Sequence, residues 1–281
     1  MAVDLHMHSV NSDGTRTPRE LVGMSKDLGL TVIALTDHDT MGGAEAFRQA
    51  GHDYDMCTVE GVELSCVYGK KEIHVLGYGR ASRGFDDFLA PLRDSRKIRN
   101  TRMIRRLQEL GYSITEEAVA ARAAGKSASR VHIAQDLVEN GYAESISDAF
   151  ERLVGNGRPG YIQRETLSVE EGVDSLVRFG FVPVLAHPME YDLTDEELNT
   201  LLALLIAHGL EGMEVIHSEC TYKDHLKLAA KADALGLLKT GGSDYHGANK
   251  PDVPLGVGMD GQLIPDAYAE ALLDRLHSKR V

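Results

Sequence analysis

His6, Met7 and His8 stand together on an apolar segment near the start of the chain, and Thr36-Asp37-His38-Asp39 closes the β-branched run from Leu30 to Leu35. A strand sends alternate side chains to one face, so His-x-His aims both imidazoles at a single point and turns Met7 away. That geometry grips a metal. Glu63, His74, His187 before Pro188, and Asp244 with His246 each fall at the end of a segment of β character, and Asp13 lies in the first loop. Strand ends are where barrel and open-sheet enzymes of the α/β class build their sites. Imidazoles mixed with carboxylates suit Zn²⁺, Mn²⁺ or Fe²⁺, whereas an all-oxygen set would suit Mg²⁺ or Ca²⁺. The candidates His6, His8, Asp13, His38, Glu63, His74, His187, Asp244 and His246 exceed the roughly four to six positions around one ion, so two or three divalent metal ions are implied.

These residues must be positioned by alternating strands and helices. Thr17-Pro18-Arg19-Glu20 predicts a helix start, with Thr17 as N-cap, Pro18 at the first helical position and Glu20 closing a capping box, and Gly29 suits the stop. Strand, helix, strand is a βαβ unit. Gly42-Gly43 opens the next helix, and strands are predicted near residues 56–65 and 71–78, joined by a Gly69-Lys70-Lys71 turn. From Ser82 to Arg164 the chain turns helical and charged. A long helix there carries Arg93, Arg96, Lys97, Arg99, Arg102, Arg105 and Arg106 on an expected solvated face. Its apolar members are Leu89, Leu92, Ile98, Met103, Ile104, Leu107 and Leu110. Helices near 115–124, 129–140 and 145–153 follow. The β/α pattern resumes with strands at 181–186, 212–216 and 237–241 and helices near 194–208 and 222–235. The expected fold is α/β with a mainly helical insertion.

With 43% hydrophobic and 26% charged residues in 281, disorder is not expected. No apolar run approaches the roughly 20 residues that span a bilayer, and a secretory leader pattern is missing, so a cytoplasmic protein is expected. Cys57, Cys66 and Cys220 form no C-x-x-C pair and indicate neither a disulfide framework nor a thiolate metal site. A net charge of −13 argues against coating long duplex nucleic acid. It leaves room for a small phosphorylated substrate, because the charges lining a pocket set its field.

Asp4-Leu5-His6-Met7-His8-Ser9, Ser12-Asp13-Gly14, Leu35-Thr36-Asp37-His38-Asp39, Glu63, Ile73-His74-Val75-Leu76-Gly77-Tyr78, Ala186-His187-Pro188 and Gly242-Ser243-Asp244-Tyr245-His246 resemble the successive motifs of the polymerase and histidinol phosphatase (PHP) family. The likeness is greatest to its small stand-alone bacterial phosphoesterases, which are related to amidohydrolases. It implies a distorted (β/α)7 barrel with a trinuclear centre, formed by residues 1–81 and 165–281, with residues 82–164 inserted as a lid. Position by position, it implies His6, His8, Glu63 and Asp244 for one metal, Glu63 bridging to a second with His74 and His187, and Asp13, His38 and His246 for a third. Three divalent ions against three carboxylates leave a positive centre that attracts phosphate, lowers the pKa of bound water toward about 7 and clamps phosphoryl oxygens. Asp37 or Asp39 could hold a ligand imidazole in place.

Ser129-Arg130-Val131-His132 resembles the family stretch Gly-Arg-Pro-His, with Val131 in the usual proline position. Arg130, and Arg158 of Gly157-Arg158-Pro159, are candidates to fork onto a phosphate beyond the metals. His132 could protonate a leaving group or cap a helix. His217, at the end of a predicted strand, could act as general acid or satisfy backbone groups. The expected function is a metal-dependent phosphoesterase acting on small phosphate esters, foremost nucleoside 3′,5′-bisphosphates. Cyclic-phosphate hydrolysis, 5′ trimming of short RNA and histidinol phosphate hydrolysis are alternatives of the same class. A C–N-cleaving amidohydrolase and a non-catalytic polymerase-accessory module are alternatives from other classes. Membrane partners are not expected, and nothing in the sequence sets an oligomeric state.

Overall fold

Thr17 caps the first helix as its sequence predicts: its side chain accepts from the Glu20 amide, and Glu20 Oε2 accepts from the Thr17 amide at 2.7 Å. The computed structural model describes residues 2–123 and 128–279. It sets this helix, α1 (Pro18–Asp27), between parallel strands β1 (Ala2–Asp4) and β2 (Leu30–Leu35). Helix α2 (Ala44–Tyr54) leads to β3 (Cys57–Tyr68), parallel to β2. Here the alternation is interrupted once. β3 turns at Gly69, whose φ of +61° glycine adopts without strain, straight into the antiparallel β4 (Lys71–Tyr78). β4 also runs against β5 (Val182–Leu185), and β6 (Gly212–Ile216) and β7 (Leu238–Gly241) are parallel again, completing a seven-stranded sheet in chain order.

The outer strands of that sheet meet where they run past their ladders. Leu5 N donates to Gly241 O (3.1 Å), Asp244 N to His6 O (2.8 Å) and His8 N to Tyr245 O (2.9 Å). This seam brings the first and last motifs side by side. Met7 points away from it, as the alternation requires, and packs in an apolar cluster with Leu21, Ile33, Leu35 and Phe47.

Between β4 and β5 lie α3 (Arg83–Glu109), α4 (Glu116–Arg122), α5 (Arg130–Glu139), α6 (Ile146–Ala149), a π-helical turn Phe150–Val154 and α7 (Val169–Arg178). The predicted helix near 115–124 matches α4, although residue 124 lies outside the described residues. Met103, Ile104 and Leu107 of α3 join Val119, Ile133, Leu137 and Leu153 in a cluster separate from the core around the sheet. Helices α8 (Asp195–Ala207) and α9 (Tyr222–Leu235) fall where predicted; α7 and α10 (Asp266–Ser278) were not anticipated. Helix α10 packs on β1, β2 and β7. No helix among the described residues is long and apolar enough to cross a membrane.

One expectation for α3 is overturned. Arg96 and Arg99 are buried, at 6% and 2% exposure, while Ile98 and Leu110 are exposed. Leu92, Arg96, Arg99 and Met103 follow one another at three- and four-residue steps and share the inward face. Arg96 is accommodated there because Asp39 of the sheet side meets it at 2.6 Å.

Candidate metal centre

The seam and the β3–β4 hairpin bring four donor atoms into one compact group. His8 Nε2 lies 3.2 Å from His6 Nε2, 3.1 Å from Glu63 Oε2 and 3.0 Å from Asp244 Oδ1, and His6 Nε2 lies 3.3 Å from each of those two oxygens. Donors held ~2.1 Å from one ion stand about 3.0–3.4 Å apart at octahedral to tetrahedral angles. The other Glu63 oxygen faces a second group. Oε1 lies 2.8 Å from His74 Nδ1 and 2.9 Å from His187 Nε2, which are 3.3 Å from each other. A third group is looser, with Asp13 Oδ1 3.2 Å from His246 Nε2 and Asp13 Oδ2 3.8 Å from His38 Nε2. All nine sequence candidates thus converge on one place. Glu63 and His74 do so from within strands rather than from strand ends, because the hairpin carries β3 on past Glu63 to Tyr68.

Each loop bearing a donor is tied down by an acid outside these groups. Asp37 accepts from Ser9 N (2.7 Å), Ser9 Oγ (2.6 Å) and Ser12 Oγ (2.6 Å), fixing the loop between His8 and Asp13. Asp4 accepts from Ser243 N, Ser243 Oγ and Gly256 N, holding the loop before Asp244. Asp39 accepts from Arg96 (2.6 Å), Arg164 (2.7 Å) and Ser65 N (3.0 Å). Asp37 and Asp39 therefore hold loops and arginines, not the imidazoles the sequence reading paired them with. That part falls to Glu214 on β6. Both its oxygens lie 3.3 Å from His6 Nδ1, and Oε2 accepts from His187 N at 2.9 Å. Sequence reasoning missed Glu214 because a carboxylate inside a strand carries no motif.

The backbone is strained where it is functional. Asp39 (φ +52°), His187 (φ +22°) and Asp244 (φ +55°) occupy the left-handed side that non-glycine residues avoid. Gly242 is required by proximity, since a Cβ there would stand 2.1 Å from the His6 Cβ.

The protein's own groups balance these buried carboxylates with protons on the surrounding rings. Burial pushes the His8 imidazolium down, but Asp244 and Glu63 outweigh it and raise the ring to about 9. Glu63 and Glu72 overcome burial at His74 in the same way, to about 10. His6 is held well above its usual range, against burial, by Glu214, Glu63 and Asp244. Burial opposes ionisation of Asp13, Glu63 and Asp244, yet neighbouring rings, and Lys250 first at Asp244, keep all three well below the carboxylate range. His38 moves down to about 3 because burial prevails, leaving a neutral ring. Asp13 Oδ1 and Glu63 Oε2 are buried without a hydrogen-bond partner and face ring nitrogens at 3.0–3.3 Å, an arrangement that clustered cations relieve. The donor set and its orphaned atoms fit divalent metal ions.

A cavity of about 170 Å³ opens onto the three groups, lined also by Glu72, Arg96, Arg130, Glu190 and Lys250. Arg130 reaches it, 2.8 Å from Glu72, with the Phe150 and Tyr161 rings 5.7 and 5.8 Å from its guanidinium. Arg158 does not: it is exposed in the turn after the π-helical segment and lines no part of this cavity. The sequence reading chose it for its Gly-Arg-Pro setting, but that turn faces solvent. Ser129, Arg130 and Val131 line the cavity, while His132 beside them turns back and its Nδ1 accepts from Ser129 N at 2.9 Å, capping α5. His217 is buried behind Asp244. Its Nδ1 accepts from Glu219 N at 3.1 Å, and its Nε2 is 3.6 Å from Asp244 Oδ2. Lys250, unnoticed in the sequence, contacts the same Asp244 oxygen at 2.5 Å.

Comparison with known proteins agrees with this geometry. The PHP domain family matches residues 4–155. A 5′-3′ exoribonuclease Rnm of Salmonella typhimurium is 32% identical over 86% of this chain and 84% of its own. A 3′,5′-nucleoside bisphosphate phosphatase of Chromobacterium violaceum is 30% identical over 87% of each chain. A phosphoribosyl 1,2-cyclic phosphate 1,2-diphosphodiesterase of Eggerthella lenta is 31% identical over 88% of this chain and 95% of its own. Among solved structures, a metal-dependent phosphoesterase from Bifidobacterium adolescentis superposes with a TM-score of 0.85 at 32% identity, covering 97% of this chain and 96% of that one.

Proposed function

The chain belongs to the PHP family, and from that premise we propose that it is a metal-dependent phosphoesterase that hydrolyses nucleotides bearing a second phosphate, of the 3′,5′-bisphosphate type. The observation that carries this reading is Glu63, a single buried carboxylate whose two oxygens serve two donor groups at 2.8–3.1 Å. We assign His6, His8, Glu63 and Asp244 to one ion, Glu63, His74 and His187 to a second, and Asp13, His38 and His246 to a third. Mn²⁺, Fe²⁺ and Zn²⁺ all suit such mixed ligands. When bound, ions so placed supply Lewis acidity and an acidified water.

The chain's own residues do the rest. Glu214 fixes the His6 ring at Nδ1 and the His187 backbone at its N–H from one carboxylate, and a carboxylate on a ligand imidazole sets both ring orientation and basicity. Arg96, Arg130 and Lys250 present N–H donors to an anionic ester in a cavity whose other walls are the metal-binding side chains. The Glu219 amide donating to His217 Nδ1 leaves the neutral ring's proton on Nε2, which stands 3.6 Å behind Asp244 Oδ2. His132 has a helix-capping part. Residues 82–164 serve as the lid that carries Arg130 over a barrel of residues 1–81 and 165–281. A cytoplasmic setting fits the three free cysteines, Cys57, Cys66 and Cys220.

The test is phosphate release by Mn²⁺-loaded protein from a panel of nucleoside 3′,5′-bisphosphates, monophosphates, cyclic phosphates and 5′-phosphorylated dinucleotides. Preference for bisphosphates is expected. Turnover confined to cyclic diesters or to dinucleotides would move the assignment to those substrates.

A further inference from the structure

Asp13 and His246 reach the third donor group from loops rather than from strands, and those two loops are fastened to each other. Thr15 Oγ1 accepts from Ala248 N at 3.0 Å, and Asn249 Nδ2 donates to the Asp13 carbonyl at 2.6 Å. Asn249 ends the short turn Gly247–Asn249, directly after His246, and is 5% exposed. Its other amide atom faces the insertion, where Oδ1 accepts from Gln135 Nε2 on α5. A backbone carbonyl can only accept, so Asp13 O fixes which end of the Asn249 amide donates. The remaining oxygen then calls for a donor, which Gln135 brings. His38 has a comparable neighbour: Arg96 and Arg164 converge on Asp39, the next residue, at 2.6 and 2.7 Å. Every donor of this group thus stands beside a contact from residues 82–164. It is also the loosest group, with Asp13 3.2 Å from His246 and 3.8 Å from His38.

We propose that Asn249 and Gln135 are positioning residues for the third metal position, Asn249 clamping the Asp13 loop to the His246 loop and Gln135 holding the Asn249 amide from the insertion. This rests on the assignment of Asp13, His38 and His246 to a third ion made above. Neither residue lines the cavity over the donor groups, so both act through Asp13 and His246. Partners that hold a ligand in place commonly set about 10–100-fold of metal affinity, and a loose group on loops depends on them most. The packing of α5 gives the contact a further consequence. Ile133 and Leu137 bury it in the insertion's own apolar cluster, and Ser129, Arg130 and Val131 at its start form part of the cavity wall. By linkage, if the seating of α5 favours the third ion, the third ion favours the seating of α5 by the same factor. Filling the third position therefore fastens the insertion over the cavity.

Two measurements test this on the full chain. The first is stepwise Mn²⁺ binding in chelator buffers, with elemental analysis of the metal retained. Asp13→Ala identifies the third step as the one it removes. Asn249→Ala should weaken that step by about tenfold or more and Gln135→Met several-fold, while the other two steps keep their wild-type values. Methionine suits a helix and matches glutamine in length, so Gln135→Met keeps α5 intact, and the two unaffected steps report folding in each variant. The second is amide hydrogen exchange across residues 130–139. Filling the third position should slow it several-fold in wild type, and Asp13→Ala and Gln135→Met should lose that slowing. Equal weakening of all three steps in Asn249→Ala would show a residue that merely holds the fold and would overturn the proposal. A third step unchanged in both variants would overturn it as well. Exchange in wild type that ignores the third ion would sever α5 from the site and remove Gln135 from it. An Asp13→Ala protein that keeps every wild-type step refutes the third position itself, a result distinct from these, and takes the proposal with it.

Discussion

Loading this centre with metal must expel protons, and the structure says how many and at what cost. His8, with its pKa raised to about 9, and His74, raised to about 10, ligate only as neutral rings. At pH 7 freeing His8 of its proton costs about 2.7 kcal/mol and freeing His74 about 4 kcal/mol, at about 1.36 kcal/mol per pKa unit. The apparent affinity of the second group, where His74 carries the raised pKa, should therefore rise about tenfold per pH unit to about pH 10, and that of the first, where His6 is raised beside His8, more steeply. Chelator-buffered Zn²⁺ titrations between about pH 7 and about pH 8.5, corrected for the chelator's own protonation, should show a gain of about 30-fold at the second group and a larger one at the first. Calorimetry at pH 7 in two buffers of different ionisation heat should find about one proton released for the second ion and more than one for the first, where His6 and His8 both carry one. Affinity that stays flat across that range, with no proton release, would show that the rings are neutral beforehand and that the carboxylates are not what holds their protons.

The same shifts set the stability of the chelator-treated protein. A ring whose folded pKa is raised contributes stability that is fully present below its unfolded value and is lost as pH climbs through the folded one. For His8, moving from 6.5 to about 9 amounts to about 3.4 kcal/mol. The depressed pKa values of Asp244 and Glu63 express the same attraction from its other end and are not added. Melting temperature should fall between about pH 6.5 and pH 10, and metal should abolish that fall.

Further outcomes follow from single contacts. Glu214→Gln keeps the shape of the side chain but removes the charge beside His6 Nδ1, and should cost about 10–100-fold in metal affinity when compared with wild type near pH 9. Asp39→Asn leaves Arg96 and Arg164 without their counter-charge and should destabilise by about 3–5 kcal/mol in urea unfolding. Gly242→Ala forces a methyl within 2.1 Å of the His6 Cβ and should lower both metal stoichiometry and melting temperature; an unchanged protein would show that the seam can yield. His132→Ala should cost about 1 kcal/mol of stability through the lost cap, with kcat on the preferred substrate kept within about twofold.

What could be read from the sequence, and what could not, divides along a physical line. Strand alternation and strand ends are local properties, so His6, His8, His38, His187, Asp244 and His246 announced themselves. The capping boxes at Thr17 and the period of α8 and α9 did the same for the helices. The β3–β4 hairpin could be read too, since the Gly69-Lys70-Lys71 turn is too short for the crossover that a parallel strand needs, but nothing local showed that β3 runs on to Tyr68. Arg96 and Arg99 were misplaced because a charged residue on an inward helix face is a net cost unless a distant partner meets it, and nothing in α3 itself reports that Asp39 waits at the contact. Glu214 escaped for the same reason. Its meaning lies in His6 Nδ1 and His187 N, which reach it from two other strands.

The same distinction governs how an acidic chain can attract phosphate. The formal charge of −13 is spread over the whole surface, where salt screens it within about 10 Å. The cavity answers to nearer groups: Asp13, Glu63 and Asp244 on one side, and raised-pKa rings with Arg96, Arg130 and Lys250 on the other. Protons on the rings bring the centre close to neutrality. Replacing those protons with divalent ions adds more charge than it removes, so the positive field that draws a phosphate ester depends on loading. Metal removal should thus weaken substrate binding as well as turnover. An inert bisphosphate analogue binding equally well to loaded and chelated protein would separate the lid arginines from the metal centre as the source of that attraction.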